Sequence, residues 1–143
     1  MLNQERMDKF RKLIGKVPAG VLSGVTVALI LWLTLAPHPT GDLDLPLFPG
    51  ADKVVHIVMF GFLTFVVLLE LMKKKHWVPL PLPLIGIISF IIALFGIGIE
   101  VLQMKMGLGR TFEVLDILAD TGGAVGMGGI WAAIQGVFAA SQN

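Results

Sequence analysis

Four apolar stretches, at about residues 17–36, 53–72, 80–103 and 115–140, take up most of this 143-residue chain. Each is long enough, or nearly so, to cross a hydrocarbon core of roughly 30 Å as a helix. Only 15% of the residues are charged, against about 25% in an ordinary soluble domain. The mean hydropathy is +0.84. The sequence therefore predicts an all-α membrane protein: four transmembrane helices in one up-and-down bundle with short loops. Residues 1–143 form a single domain in this reading, because the tails and loops leave no room for a separate soluble one. A net charge of +1 gives no signal for nucleic acid, and none is expected as a partner. The chain has no cysteine, which excludes disulfides and thiolate chemistry.

Basic residues set the expected orientation. Arg6, Lys9, Arg11, Lys12 and Lys16 precede the first stretch, and Lys73, Lys74 and Lys75 follow the second. The loop after the first stretch has no lysine or arginine, and the third loop has Lys105 and Arg110. The positive-inside rule then puts both termini and the Lys73–Lys75 turn in the cytoplasm. Residues 1–16 read as a cytoplasmic basic lead-in. Met7, Phe10, Ile14 and Val17 recur at helical spacing, which suits either an interfacial helix or a plain entry to the first span. Thr34-Leu35-Ala36 resembles a leader-cleavage site, but the apolar run exceeds the usual leader length and Pro37 would follow the cut. Retention as an anchor is expected. The first loop contains Pro37, Pro39, Pro46 and Pro49, so it reads as a stiff connector, with a lid as the alternative. Gly20/Gly24 and Gly122/Gly126 have GxxxG spacing, which predicts close helix packing, or else a homodimer through either pair.

The polar residues gather at one end of the spans. Asp52, Lys53 and His56 open the second stretch, Glu100 and Gln103 close the third, and Asp116 and Asp120 open the fourth. Arg110 lies in the short third loop. An up-and-down bundle brings these ends into one layer, facing the extracytoplasmic side. Ionisable groups in membrane helices are costly, so such a layer is a functional-site candidate. A charge-balanced structural network is the plainer reading, with Arg110 clamping Glu100 or Asp116. His56, Glu100, Asp116 and Asp120 are metal-ligand types, but one histidine without HExxH or CxxC spacing gives no metal signature. No metal or cofactor is expected. A hydrolase would use His56 as base, yet no serine or cysteine nucleophile shares the layer. A proton-coupled carrier would need two copies to enclose a path. Glu70 reads as a local ion pair with Lys73 and Lys74, snorkelling at the inner interface.

Asp52-Lys53-Val54-Val55-His56 followed by Phe60 resembles the DKxxHxxxF signature of VanZ-like membrane proteins. Glu100-Val101-Leu102-Gln103 resembles that family's ExxQ, and Arg110, Asp116 and Asp120 with Gly123 resemble its R…D…(D/N)xxG tail. Asp120 stands where relatives often carry Asn. The resemblance covers about residues 50–129 and implies a small multi-pass protein of the bacterial inner membrane. The family's namesake is associated with low-level resistance to the glycopeptide teicoplanin. The expected function is binding of an amphiphilic cell-envelope ligand, a phospholipid or a lipid-linked cell-wall precursor, in an outward-facing polar pocket. Arg110 and Lys53 would meet anionic head-group oxygens, because guanidinium forks suit phosphate. His56 and Gln103 would donate hydrogen bonds, with Asp52 beside them. Glu100, Asp116 and Asp120 would hold those donors. Two alternatives remain open. One is a lipid transferase or hydrolase whose catalytic candidates are His56, Glu100 and Asp116, with Glu100 or Asp116 orienting His56. The other is a structural or partner-binding protein.

Overall fold

The computed structural model describes residues 2–36, 48–107 and 113–140. They form five α-helices: α1 (Leu2–Gly15), α2 (Val21–Leu35), α3 (Ala51–Lys74), α4 (Leu82–Met106) and α5 (Val114–Ala140). Three segments are long and apolar enough to cross a membrane: Ala51–Lys74, Leu82–Met106 and Val114–Gln135. The first apolar stretch departs from expectation. Pro18 has no backbone N–H to donate, and Gly20 takes a left-handed conformation with φ 86° at the N-cap of α2. The helix therefore starts only at Val21 and has 15 residues, shorter than its three neighbours. The basic lead-in is a separate helix, α1. The Arg11 guanidinium lies 5.7 Å from the Trp77 ring centroid, a cation–π contact that seats α1 beside the α3–α4 turn.

Helices α2 to α5 alternate in direction. The start of α2 meets the end of α3 through Glu70, and the start of α3 meets the start of α5 through His56 and Asp120. The most extensive packing is α5 on α3, followed by α5 on α4. Phe60, Leu63, Ile92, Ile99 and Ala124 form the central apolar cluster, and Leu68, Leu80 and Trp131 belong to a second one. Outward faces are apolar as well: Val58, Phe62, Phe90, Ile91, Leu118 and Ile130 are all exposed. Exposed apolar surface around buried Glu70, Glu100 and Asp120 inverts the soluble pattern and suits lipid as the surrounding solvent.

The glycines at the GxxxG spacing do not pack the helices together. A Cβ at Gly20, Gly24, Gly122 or Gly126 would meet nothing within 4 Å. The close approaches are elsewhere. Gly123 presses on the Ile57 carbonyl and the Gly61 amide, so α3 and α5 touch backbone to backbone. Gly96 and Gly128 instead leave room for side chains between α4 and α5, those of Asp120 and Ser89 respectively.

Three polar clamps fix the far end of the bundle. Glu70 is not in a snorkelling ion pair: it is buried, and its carboxylate accepts the Gly20 and Leu22 amides at 3.1 Å each. It also accepts the Ser23 amide at 3.4 Å and the Ser23 hydroxyl. A side chain of α3 thus satisfies the orphan N–H groups that open α2. Lys73 donates to the carbonyls of Ile14 and Val17 at 3.3 and 2.5 Å, which closes α1. Gln135 of α5 pairs with both backbone groups of Leu80, accepting its amide at 3.1 Å and donating to its carbonyl at 2.6 Å.

Candidate functional site

Helix α3 begins just before Asp52, so Asp52, Lys53 and His56 fall in its first two turns. The four-residue spacing puts His56 on the same side of α3 as Asp52, one turn further into the bundle. Helix α4 ends at Met106, one to two turns beyond Glu100 and Gln103. Helix α5 begins at Val114, and Asp116 and Asp120 occupy its first two turns, with Asp120 about 6 Å deeper by helix rise. His56, Glu100, Gln103 and Asp120 are buried, while Asp116 and Lys53 are half-buried and Asp52 is exposed. The layer expected from the sequence is therefore assembled from α3, α4 and α5.

The outer part is a cage around one ammonium group. Lys53 Nζ lies 2.5 Å from Asp52 Oδ2, 2.5 Å from Glu113 Oε2 and 2.6 Å from Asp116 Oδ1. Sequence reasoning missed Glu113. Its signal was present, since Glu113 immediately precedes α5 and stands three residues before Asp116 in its first turn.

The inner part is drier. His56 Nδ1 and Asp120 Oδ1 are 2.8 Å apart, with the two side chains 8% and 0% exposed. Asp120, rather than Glu100 or Asp116, is the carboxylate that orients His56. A carboxylate accepts at that contact, so His56 donates from Nδ1 and keeps Nε2 for another partner. Glu100 is fully buried, and its Oε2 accepts the Glu113 amide at 3.3 Å. Glu100 Oε1 and Asp120 Oδ2 have no hydrogen-bond partner among the described residues. Gln103 belongs to a different contact. Its Nε2 donates to the Thr34 carbonyl at 2.8 Å, tying the end of α4 to the end of α2.

Charge is not balanced among the described residues. Asp52, Glu100, Glu113, Asp116 and Asp120 bring five carboxylates to Lys53 and His56. Buried carboxylates persist only when paired or hydrogen-bonded, so the arrangement calls for further positive charge. Arg110, with the rest of 108–112, lies outside the described residues, as does 37–47, most of the expected connector or lid. Two sets of side chains present metal-ligand atoms all within 4.8 Å of one another: His56, Glu100 and Asp116, and Asp52, Glu113 and Asp116.

A family model, VanZ/LLP1, matches residues 17–135. The chain belongs to the VanZ/LLP1 family. With its membrane-length helices, that membership makes it a membrane protein. The match reaches from just before α2 well into α5 and takes in every residue of both polar parts. Helix α1 precedes it. No curated protein and no solved structure matches the chain.

Proposed function

We propose that this VanZ/LLP1 protein crosses the bacterial inner membrane four times, with both termini cytoplasmic. In this reading its outward-facing polar layer binds the head group of an amphiphilic envelope ligand. Phospholipid and lipid-linked cell-wall precursor are the two ligand classes, and the second would connect the protein to glycopeptide (teicoplanin) resistance. One observation carries the reading. The polar layer sits at the ends of the long helices and is bordered by exposed apolar residues on the same turns. Val54, Val55, Leu102, Leu115 and Leu118 face outward there, where acyl chains would run. An amphiphile meets both surfaces at once.

Roles within the layer shift from the sequence expectation. Lys53 is held by three carboxylates, so it serves the site by neutralising them rather than by meeting a phosphate. Anionic head-group oxygens are left to Arg110, on chain position and guanidinium chemistry. Native mass spectrometry of the protein in mild detergent, beside Arg110→Ala, tests this. An anionic lipid retained by the parent and lost from a still-folded variant is the expected result. Equal retention by both refutes the assignment of Arg110, and no lipid on either refutes the binding role.

The buried His56–Asp120 contact supports a second reading. A histidine oriented by a carboxylate is an acid–base pair, suited to an intramembrane transferase or hydrolase acting on the same lipid. Turnover of a labelled lipid separates the two, since a binder returns its ligand intact.

A further inference from the structure

The two parts of the polar layer differ in one respect. The outer carboxylates enclose the Lys53 ammonium at 2.5–2.6 Å. The inner set adds His56 of α3 and Glu100 of α4 to Asp116 of α5, whose carboxylate it shares with the Lys53 cage. Glu100 has no cation against it among the described residues. We propose that His56, Glu100 and Asp116 bind a divalent metal ion of the Mn²⁺ or Zn²⁺ kind.

Geometry comes first. One ligand atom from each of the three lies within 4.8 Å of the others. Ligand atoms around an ion at about 2.1 Å stand roughly 3 to 4 Å apart. Side-chain movement of about 1 Å therefore gathers all three on one ion. Helix backbones hold the three positions, so the site does not require a loop to fold over.

Partner accounting is the second, independent support. Glu100 is 0% exposed, and its Oε1 has no hydrogen-bond partner among the described residues. A carboxylate oxygen in a dry interior strongly favours a cation beside it. A divalent ion would offset the Glu100 carboxylate and part of the layer's excess negative charge, which lowers the cost of holding carboxylates in a dry interior.

The third support is the surroundings of His56. A metal-bound histidine almost always gives its other N–H to a carboxylate or carbonyl, which fixes the tautomer and ring orientation. Asp120 Oδ1 stands at Nδ1 at 2.8 Å in a buried contact. Nε2 is left as the coordinating nitrogen, with Asp120 as a positioning residue. One imidazole and two carboxylates make a mixed nitrogen–oxygen set. That set suits Zn²⁺, which takes imidazole readily, and admits Mn²⁺, a harder ion that favours the two carboxylates but also accepts imidazole, whereas Ca²⁺ and Mg²⁺ prefer oxygen alone. The missing HExxH spacing is no objection, because the ligands come from three helices rather than from one.

Mn²⁺ is the probe. The full chain, purified in mild detergent, is stripped with EDTA and titrated with MnCl₂. The electron paramagnetic resonance signal of free Mn²⁺ reports binding. One ion per chain is expected, displaced by Zn²⁺, with the thermal midpoint of the parent raised by either ion. His56→Ala and Glu100→Gln are expected to abolish stoichiometric binding. Asp120→Asn keeps one site but weakens it by about 10- to 100-fold, the usual effect of a lost carboxylate behind a metal-bound histidine. Lys74→Ala, an exposed position at the far end of the bundle, leaves binding unchanged. A folded parent that takes up neither Mn²⁺ nor Zn²⁺ at millimolar concentration overturns the proposal. So does unaltered binding in both His56→Ala and Glu100→Gln. The lipid reading does not enter these measurements, so either can fail alone.

Discussion

Gly96→Ala puts a single methyl group against the heart of the polar layer. A Cβ at position 96 would lie 2.7 Å from Asp120 Oδ2, 2.8 Å from its Cβ and 3.1 Å from its Cγ. Ordinary contact begins at 3.4 Å, so Asp120 must retreat by about 0.6–0.7 Å (3.4 less 2.8 and 2.7). Rotating the carboxylate cannot relieve the clash, because the Asp120 Cβ itself is too close. Helix α5 has to move, and the 2.8 Å contact with His56 stretches with it. Overpacking of this kind costs about 1–3 kcal/mol, and weakening a charge-assisted hydrogen bond adds roughly 1.5–3 kcal/mol. Replacing glycine by alanine in a helix returns about 1 kcal/mol. The net expectation is a loss of about 2–5 kcal/mol. Denaturant unfolding in detergent, followed by tryptophan fluorescence, measures it against Gly122→Ala, where a Cβ meets nothing within 4 Å. That control is expected to match or slightly exceed the parent. Equal stability of the two variants would refute the packing of Asp120 into the Gly96 notch.

Two further substitutions probe the clamps. Glu70→Ala strips the start of α2 of its acceptor and is expected to cost about 1–2 kcal/mol, as loss of a helix cap does. Lys74→Ala at an exposed position is expected to cost little, and equal losses in the two unfolding curves would restore the ion-pair reading of Glu70. Lys53→Met leaves three carboxylates facing one another. With Lys53 only half-buried, the expected loss is about 1–3 kcal/mol. Adding Glu113→Gln should recover part of that loss, and a double variant no better than the single one contradicts the shared cage.

Helices α3, α4 and α5 were readable because each is a long apolar run, and the composition demands a membrane or a very large core. The polar layer was readable too. Asp52 with His56, and Asp116 with Asp120, share helix faces at four-residue spacing, so an up-and-down connection had to bring them together. What escaped depended on partners distant in sequence. Glu70 looked toward Lys73 and Lys74, its neighbours in the chain, but its partners lie 47–50 residues away on α2. Gln103 was read into the site and instead joins Thr34, 69 residues away. Asp120, read as one of the supporting acids, is the residue that orients His56. The glycine error is one of rotation. Gly122 and Gly123 differ by about 100° around the helix, and only packing shows which faces α3. Hydropathy averaged across Pro18 and Gly20 likewise hid the break between α1 and α2.

The shortness of α2 has a consequence for the bilayer itself. Fifteen residues rise about 22 Å, some 8 Å less than a typical hydrocarbon core of roughly 30 Å. The helix cannot correct this by sliding, because Glu70 holds one end and Gln103 the other. Tilting would only shorten its reach. In the proposed four-span arrangement, hydrophobic mismatch along α2 would be met by the lipid, which would thin beside it. One flank of the protein would then border a dimple in the membrane, with head groups drawn down toward the ends of α2.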